Sequence, residues 1–204
     1  MTPQQRMIEE QIRGRDVRDP RVLEALGRVP RDRFVPESAR HDAYADHPVP
    51  IGHGQTISQP YIVAFMTEAL RLQPSHRVLE IGTGCGYQTA VLADLVREVY
   101  SVEVIAALAE EAGRRLEMLG YGNVRRHVGD GHHGWPEHAP YDRILVAAAA
   151  DAVPPPLVEQ LVDTGILVIP VGASNQELRV LQKHGTRVDL LATLSVRFVP
   201  LVRP

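Results

Sequence analysis

The alternation of apolar runs with helical patterns between residues 76 and 171 constrains the fold of this 204-residue chain more than any other feature. Five short apolar runs predict strands, at 77–81, 99–102, 123–128, 144–148 and 166–171. Helical spacing occupies three of the segments between them, at 87–96, 104–119 and 154–163. Such alternation is typical of parallel βαβ units, so we expect a mostly parallel sheet with helices on its faces.

Two further β-like runs follow this region, at 177–182 and 190–199. No helical pattern separates them, and a turn is expected near 183–185. Because strands joined by so short a connection pair antiparallel, these runs predict a hairpin at one edge of the sheet.

The first sixty residues have a different pattern. Asp19-Pro20 is typical of a helix start, with an N-cap followed by a proline in the first turn. Prolines and glycines then recur from residue 29 to residue 60, and so long an irregular stretch within a compact domain is usually functional. We predict a single domain made of an N-terminal helical and loop cap (1–60) and a core (61–204).

Composition argues against several classes of protein. The net charge of −3 provides no strong basic field for nucleic acid, and no run reaches the roughly 18 apolar residues of a membrane span. The N-terminus lacks the apolar segment of a signal peptide, and the single Cys85 excludes an intramolecular disulfide. We therefore expect a cytoplasmic monomer that binds neither nucleic acid nor membrane.

A glycine-rich loop, E-I-G-T-G-C-G at 80–86, follows the first core strand and opens the next helix. A dinucleotide-binding fingerprint would place its third glycine at position 87, which is Tyr87. The G-x-G-x-G spacing is instead similar to the loop that holds the methionine part of S-adenosylmethionine. The alternative is a glycine turn with no ligand. The predicted cofactor-binding residues here are Glu80, Gly82, Thr83, Gly84, Cys85, Gly86 and Tyr87.

Two acidic positions follow the next two predicted strands, Glu103 and the Gly129-Asp130-Gly131 turn. Carboxyl ends of parallel strands form the rim where open α/β sheets bind ligands. We expect Glu103 to accept hydrogen bonds from ribose hydroxyls, and Asp130 with Gly131 to lie at an adenine. N-capping or a solvated turn is the alternative for each.

Several motifs resemble the protein-L-isoaspartate O-methyltransferase family, and the likeness covers nearly the whole chain. The most specific is G-Q-T-I-S-Q-P at 54–60, within the irregular part of the cap. The other matching segments are V-P-R at 29–31, F-V-P at 34–36, V-L-E-I-G-T-G at 78–84, Y-S-V-E at 100–103, G-D-G at 129–131, G-W-P at 134–136 and V-R-F-V-P-L at 196–201.

The resemblance implies the class I methyltransferase fold, a Rossmann-like α/β/α sandwich. It also implies methyl transfer from S-adenosyl-L-methionine, which becomes S-adenosyl-L-homocysteine, to the free carboxylate of L-isoaspartyl and D-aspartyl residues, which initiates protein repair. Ser58 would be the active-site hydroxyl, with Thr56 and Ile57 in the same pocket. A C-terminal strand at 197–201, with Arg197, Phe198 and Val199, would hydrogen-bond the substrate peptide.

The chain departs from the bacterial pattern at Cys85, where Ser is usual, and at Ala147, where Thr is usual. These departures leave open the same chemistry on a normal aspartate of a dedicated peptide. A non-catalytic cofactor-binding module and a small-molecule methyltransferase are further alternatives. His132, His133 and His138 cluster in sequence, but adjacent histidines rarely face one centre, so we expect no metal site.

Overall fold

The computed structural model describes residues 1–203, so Pro204, the last residue of the predicted core, lies outside the described residues. The helices are α1 (Pro3–Arg6, continued by a π-helix over Met7–Arg13), α2 (Pro20–Arg28), α3 (Pro60–Ala69), α4 (Tyr87–Ala93), α5 (Ala106–Met118) and α6 (Pro155–Glu159). The strands are β1 (Val49–Gly52), β2 (Gln55–Ile57), β3 (Arg77–Ile81), β4 (Glu98–Glu103), β5 (Val124–Val128), β6 (Tyr141–Val146), β7 (Leu161–Val171), β8 (Gln176–His184) and β9 (Arg187–Val196).

A seven-stranded sheet in the order β5-β4-β3-β6-β7-β8-β9 organises the chain. The strands from β5 to β7 pair in parallel, whereas β8 and β9 form an antiparallel hairpin at the edge. The predicted parallel sheet and terminal hairpin are therefore confirmed.

Both faces of the sheet are covered, because successive side chains of a strand point to opposite faces. Val78 and Val99 belong to one apolar cluster, together with residues of α2, α3, α4 and α5. Leu79 and Tyr100, their neighbours in sequence, belong to a second cluster that includes Leu157 of α6. The result is the three-layer sandwich that the alternation of strands and helices predicts.

The cap packs into the first of these clusters. Asp19 accepts a hydrogen bond from the backbone N–H of Arg21 and so caps α2, as its sequence indicates. Met7, Ile12 and Leu26 are completely buried in the same cluster as Val78. Residues 1–60 therefore share one apolar core with the sheet.

Two predicted boundaries in the second half of the sheet were wrong. The fourth core strand spans Tyr141–Val146 and not 144–148, and the helix predicted at 154–163 ends at Glu159. The carbonyl of Gln160 accepts a hydrogen bond from Tyr141 (2.8 Å), and Leu161 then pairs with Tyr141. Pairing with β6 thus draws the chain into β7 five residues before the predicted strand.

The strand expected at 197–201 was also wrong, because β9 ends at Val196. The chain instead leaves the hairpin and crosses to the loop after β6. There the N–H of Ala149 donates to the carbonyl of Val199 (2.8 Å), and the N–H of Leu201 donates to the carbonyl of Ala149 (2.7 Å). Some backbone groups expected to face a peptide are therefore used within the chain.

Within residues 1–203, none of the helices is both long and apolar enough to cross a lipid bilayer.

Candidate active site

The glycine loop makes a tight turn between β3 and α4. Its glycines have positive φ angles, +94° at Gly82, +53° at Gly84 and +89° at Gly86. L side chains rarely adopt this region, so the turn requires glycine. The N–H of Gly82 donates to the carbonyl of Val102 (2.8 Å), which holds the loop at the carboxyl end of β4.

Glu103, at the end of β4, supports this loop and lines the space above it. One carboxylate oxygen accepts a hydrogen bond from the N–H of Gly84 (2.8 Å), and the other accepts one from Ile105 (3.0 Å). An ionised carboxylate has about four acceptor sites, so capacity remains for two more donors. The ribose contact predicted for Glu103 is therefore chemically available.

A cavity lies over the glycine loop, and we call it the loop cavity. Its lining includes residues of the cap, the loop, the strand ends and the C-terminal segment. The predicted site residues that line it are Thr56, Ile57, Ser58, Gly82, Thr83, Gly84, Cys85, Tyr87, Glu103, Gly131 and Val199. Other lining residues were not indicated by the sequence, among them Met66, Gln88 and Ile105.

Glu80 does not line the loop cavity, contrary to the expected contact with a ligand. Its side chain is completely buried, and one oxygen accepts hydrogen bonds from the hydroxyls of Thr89 and Ser101 (2.5 Å each). Ser101 also shares a hydrogen bond with Thr83 of the loop (2.6 Å). Glu80 thus supports the loop from below, because its position inside β3 directs it into the core.

The environment of Glu80 is unusual for a carboxyl group. Its second oxygen has no hydrogen-bond partner within residues 1–203. Burial raises the pKa of Glu80 to about 7, against the opposing effect of the Ser101 and Thr89 hydroxyls. The group therefore titrates near neutral pH.

Asp130 and Gly86 also lie outside the lining of the loop cavity. The Asp130 carboxylate accepts hydrogen bonds from the backbone N–H (2.9 Å) and the ring (2.7 Å) of His132. Burial alone would raise the pKa of Asp130, but these His132 contacts lower it. A role for Asp130 at an adenine stays a prediction. At Gly86, an added Cβ would press on Ala112 and Leu116 of α5, at 3.4 Å.

A second cavity, which we call the cap cavity, adjoins the first. Among its lining residues are Arg197 and Phe198, which do not line the loop cavity. Both cavities share a wall formed by Thr56, Ser58, Ala147 and Val199. The wall places the G-Q-T-I-S-Q-P segment where two ligands would meet.

Side chains of the cap hold this segment in place. Gln59 donates to the Asp46 carboxylate (2.7 Å), and Arg31 donates to the carbonyl of Ser58 (2.7 Å). Gln176 of β8 holds the opposite side, because its amide oxygen accepts from the N–H of Phe198 (2.6 Å) and its NH₂ donates to the carbonyl of Phe198 (3.1 Å). The motif V-P-R at 29–31 was the only sequence signal for Arg31, and Gln176 had none.

The two departures from the bacterial pattern differ in position. Cys85 is buried, burial raises the pKa of its thiol, and its carbonyl accepts a hydrogen bond from Arg115 (2.7 Å). Ala147 belongs to the shared wall, so the chain lacks a hydroxyl there that Thr would supply. Of the two, only the change at Ala147 alters the groups where the cavities meet.

The three clustered histidines do not form a metal centre within the described part of the chain. No group of three His, Cys, Asp or Glu side chains there is arranged to hold a metal ion. His132 and His133 lie against Asp130, whereas the His138 ring packs against Trp135, with centroids 4.6 Å apart.

The sheet order, with a positive-φ glycine loop and an acidic residue at the next strand end, defines a class I S-adenosylmethionine-dependent methyltransferase. The family model described as protein-L-isoaspartate(D-aspartate) O-methyltransferase matches residues 2–204. The chain belongs to this family.

Individual relatives agree. A protein-L-isoaspartate O-methyltransferase of Picosynechococcus is 58% identical over 97% of this chain and 89% of its own length. A solved protein-L-isoaspartate O-methyltransferase structure is 30% identical, with a TM-score of 0.87. The match covers 97% of this chain and 65% of the solved chain. A Plasmodium falciparum structure, described as a putative enzyme of this kind in complex with S-adenosyl-L-homocysteine, is 26% identical with a TM-score of 0.86, and each chain is fully covered.

Proposed function

We propose that this chain transfers a methyl group from S-adenosyl-L-methionine to the free carboxylate of L-isoaspartyl and D-aspartyl residues in damaged proteins, which initiates their repair. The observation that carries the proposal is the wall shared by the two cavities, which contains Ser58 of the G-Q-T-I-S-Q-P segment. Because Ser58 lines both cavities, a donor in the loop cavity and a peptide carboxylate in the cap cavity would come together at Ser58.

The residues of the loop cavity fit the donor. The glycine loop has no side chains that would fill the space at Gly82 and Gly84, and Glu103 keeps acceptor capacity at the rim. Gly131 and Ile105 also line this cavity. When bound, S-adenosylmethionine supplies a methyl group that its sulfonium has already activated for transfer.

The acceptor needs little chemical help. The acceptor carboxyl has a pKa of about 4 in its ordinary environment, so it is ionised at neutral pH and needs no general base. The protein's task is to align the acceptor oxygen with the methyl carbon and to exclude water. The methyl ester then closes to a succinimide when the following backbone nitrogen attacks the ester carbonyl and expels methanol.

We assign Ser58 the role of orienting the acceptor carboxylate through one hydrogen bond. Additional donors would stabilise the ground-state anion and slow its attack. Thr56 and Ile57 shape the meeting point of the two cavities. Arg197 and Val199 bind the peptide on the side of the cap cavity through backbone groups that the chain does not itself use. Phe198 contributes its side chain, because Gln176 already bonds both of its backbone groups.

We also propose that the whole chain acts as one unit, with residues 1–60 completing the acceptor site. Their packing into the same core as the sheet supports this arrangement. We further propose a monomer as the working form. We propose the cytoplasm as its compartment, with damaged proteins as partners and neither nucleic acid nor membrane.

The decisive experiment uses one peptide in two versions, with isoaspartyl or normal aspartyl at a single position, and a donor with a radiolabelled methyl group. We expect labelled ester on the isoaspartyl peptide only, followed by release of labelled methanol. Conversion of part of this peptide to the aspartyl form, measured by chromatography, would support repair.

Other outcomes would select the alternatives. Equal labelling of the aspartyl peptide would favour maturation of a dedicated peptide, which the relatives' names do not favour. Donor binding without transfer to either version would favour a binding module.

A further inference from the structure

Arg31 is the largest side chain that is completely buried within residues 1–203. Burying a charge is costly unless its surroundings compensate, so a buried guanidinium is uncommon. The ionisable groups acting on it are Tyr87, Cys85 and Tyr44, which are neutral at ordinary pH. Arg31 therefore lacks the carboxylate partner that usually accompanies a buried arginine.

Backbone carbonyls hold this guanidinium instead. Its Nε donates to the carbonyl of Ala43 (2.6 Å), and Nη2 donates to the carbonyl of Ser58 (2.7 Å). Nη1 has no partner within the described residues. The planar fork fixes both carbonyls in one direction, because the two donors belong to one rigid group. The main chain at Ser58 is thereby tied to the cap.

The same guanidinium lies over the ring of Tyr87, with its central carbon 4.9 Å from the ring centroid. Tyr87 is the first residue of α4 and lines the loop cavity. Cation–π contact of this kind is strongest where water is excluded, as it is here. Arg31 therefore contacts one residue of each element that would carry the two reactants.

We propose that Arg31 is a positioning residue for methyl transfer. It fixes the direction of the Ser58 side chain by holding the Ser58 carbonyl. Its contact with the Tyr87 ring holds that direction constant relative to the wall of the loop cavity. This inference rests on the proposed function. Arg31 affects the rate through Ser58, whereas an arginine that only stabilised the cap would affect the rate whether or not the hydroxyl was present.

A double-mutant cycle tests this role, using Arg31→Lys, Ser58→Ala and the combined variant. We expect Arg31→Lys to lower kcat on the isoaspartyl peptide about tenfold when Ser58 is present, and less than about twofold in the Ser58→Ala protein. The donor dissociation constant, measured by calorimetry, should stay within about twofold. If the Arg31→Lys variant unfolds below the assay temperature, Arg31→Gln replaces it in the same cycle, because glutamine keeps an N–H donor without the buried charge.

Arg21 provides a matched control, because it also donates to two backbone carbonyls, those of Leu72 (2.8 Å) and Leu95 (3.1 Å), and lines neither cavity. Arg21→Lys should leave kcat unchanged. Equal losses in the two Ser58 backgrounds, or an equal loss in the Arg21 variant, would overturn the inference alone. No transfer by the unaltered protein would overturn the proposed function, and the inference with it.

Discussion

The loop cavity and the cap cavity adjoin, yet they are built in opposite ways. One side of the loop cavity comes from a single short stretch, 82–85 with Tyr87, and from the strand end at Glu103. The cap cavity is assembled from segments far apart in sequence, including Ser58, Ala147 and Phe198. A ligand site made by one turn is encoded locally, whereas a site made by distant segments depends on the interactions that bring them together.

The interactions that fix the two cavities differ accordingly. Backbone conformation and backbone donors hold the glycine loop, as at Gly82 and Gly84. Long side chains that bond to carbonyls, Arg31 and Gln176, hold the cap cavity. The buried ionisable groups that support the two cavities also differ. Glu80, below the glycine loop, titrates near neutral pH, whereas Arg31, which holds the cap segment, is an arginine and stays protonated.

The largest effect is expected from Glu80→Gln, measured as stability against pH. The folded pKa of about 7 lies above the ordinary value of 4.5, so Glu80 stabilises the fold at low pH, and this contribution is lost as pH rises through 7. Relative to Glu80→Gln, the unaltered protein should lose about 3 kcal/mol of unfolding free energy between about pH 4 and about pH 8. Urea denaturation at several pH values measures this difference.

Glu10→Gln, at an exposed position of the first helix, is the control for the loss of one carboxyl group. If the unfolding free energies of the unaltered and Glu80→Gln proteins changed with pH in parallel, Glu80 would not titrate near neutral pH. The contrast in buried charge between the supports of the two cavities would then be wrong.

Gly82→Ala should come next, because alanine at a φ of +94° is strained. In the free variant the loop can relax to an ordinary φ, so regaining the shape that binds the donor costs about 2 kcal/mol. Donor binding should therefore weaken about thirtyfold. Gly185→Ala, at φ +59° in the turn of the β8–β9 hairpin, is the matched control and should leave donor affinity unchanged. Calorimetric titration distinguishes the two, and equal donor affinity in both variants would contradict the role of the loop.

Ser58→Ala should lower kcat about tenfold, the value of one hydrogen bond in the transition state, while donor affinity changes less than about twofold. Steady-state kinetics and donor titration measure the two quantities separately. Ser38→Ala, at an exposed cap position, is the control. A parallel fall in kcat and donor affinity would mean that Ser58 serves the loop cavity and not the acceptor.

The smallest effect is expected from Gln176→Leu, which leaves both backbone groups of Phe198 without their partner. A looser wall of the cap cavity should raise KM for the isoaspartyl peptide about fivefold, with donor affinity unchanged. Gln182→Leu in the same strand removes one bond to the carbonyl of Thr164 and should leave KM unchanged. An unaltered KM in Gln176→Leu would show that 197–199 needs no such support.

Sequence predicted the parts of the molecule that local chemistry determines. Strand–helix alternation indicated the parallel sheet, and the glycine spacing indicated a positive-φ turn between β3 and α4. The sequence failed where pairing between distant segments sets the boundary of a strand. One example is the start of β7, where Gln160 and Leu161 pair with Tyr141.

The candidate site shows the same division. Glu80 looked like a ligand contact because it adjoins the loop, but its position in β3 directs it inward. Arg31 and Gln176 act through carbonyls of residues 27 and 22 positions away, and no spacing rule indicates such bonds. The resemblance indicated which segments matter, whereas the structure gives their supports.

The only thiol in the chain belongs to Cys85, inside the glycine loop and shielded from solvent. A thiol reacts as its thiolate, and burial disfavours that form here. Because Cys85 also lines the loop cavity, an alkylating reagent reaches this thiol through that cavity or through an opening of the loop. The rate of labelling therefore reports access to the cavity, and a bound donor should slow it without any engineered probe.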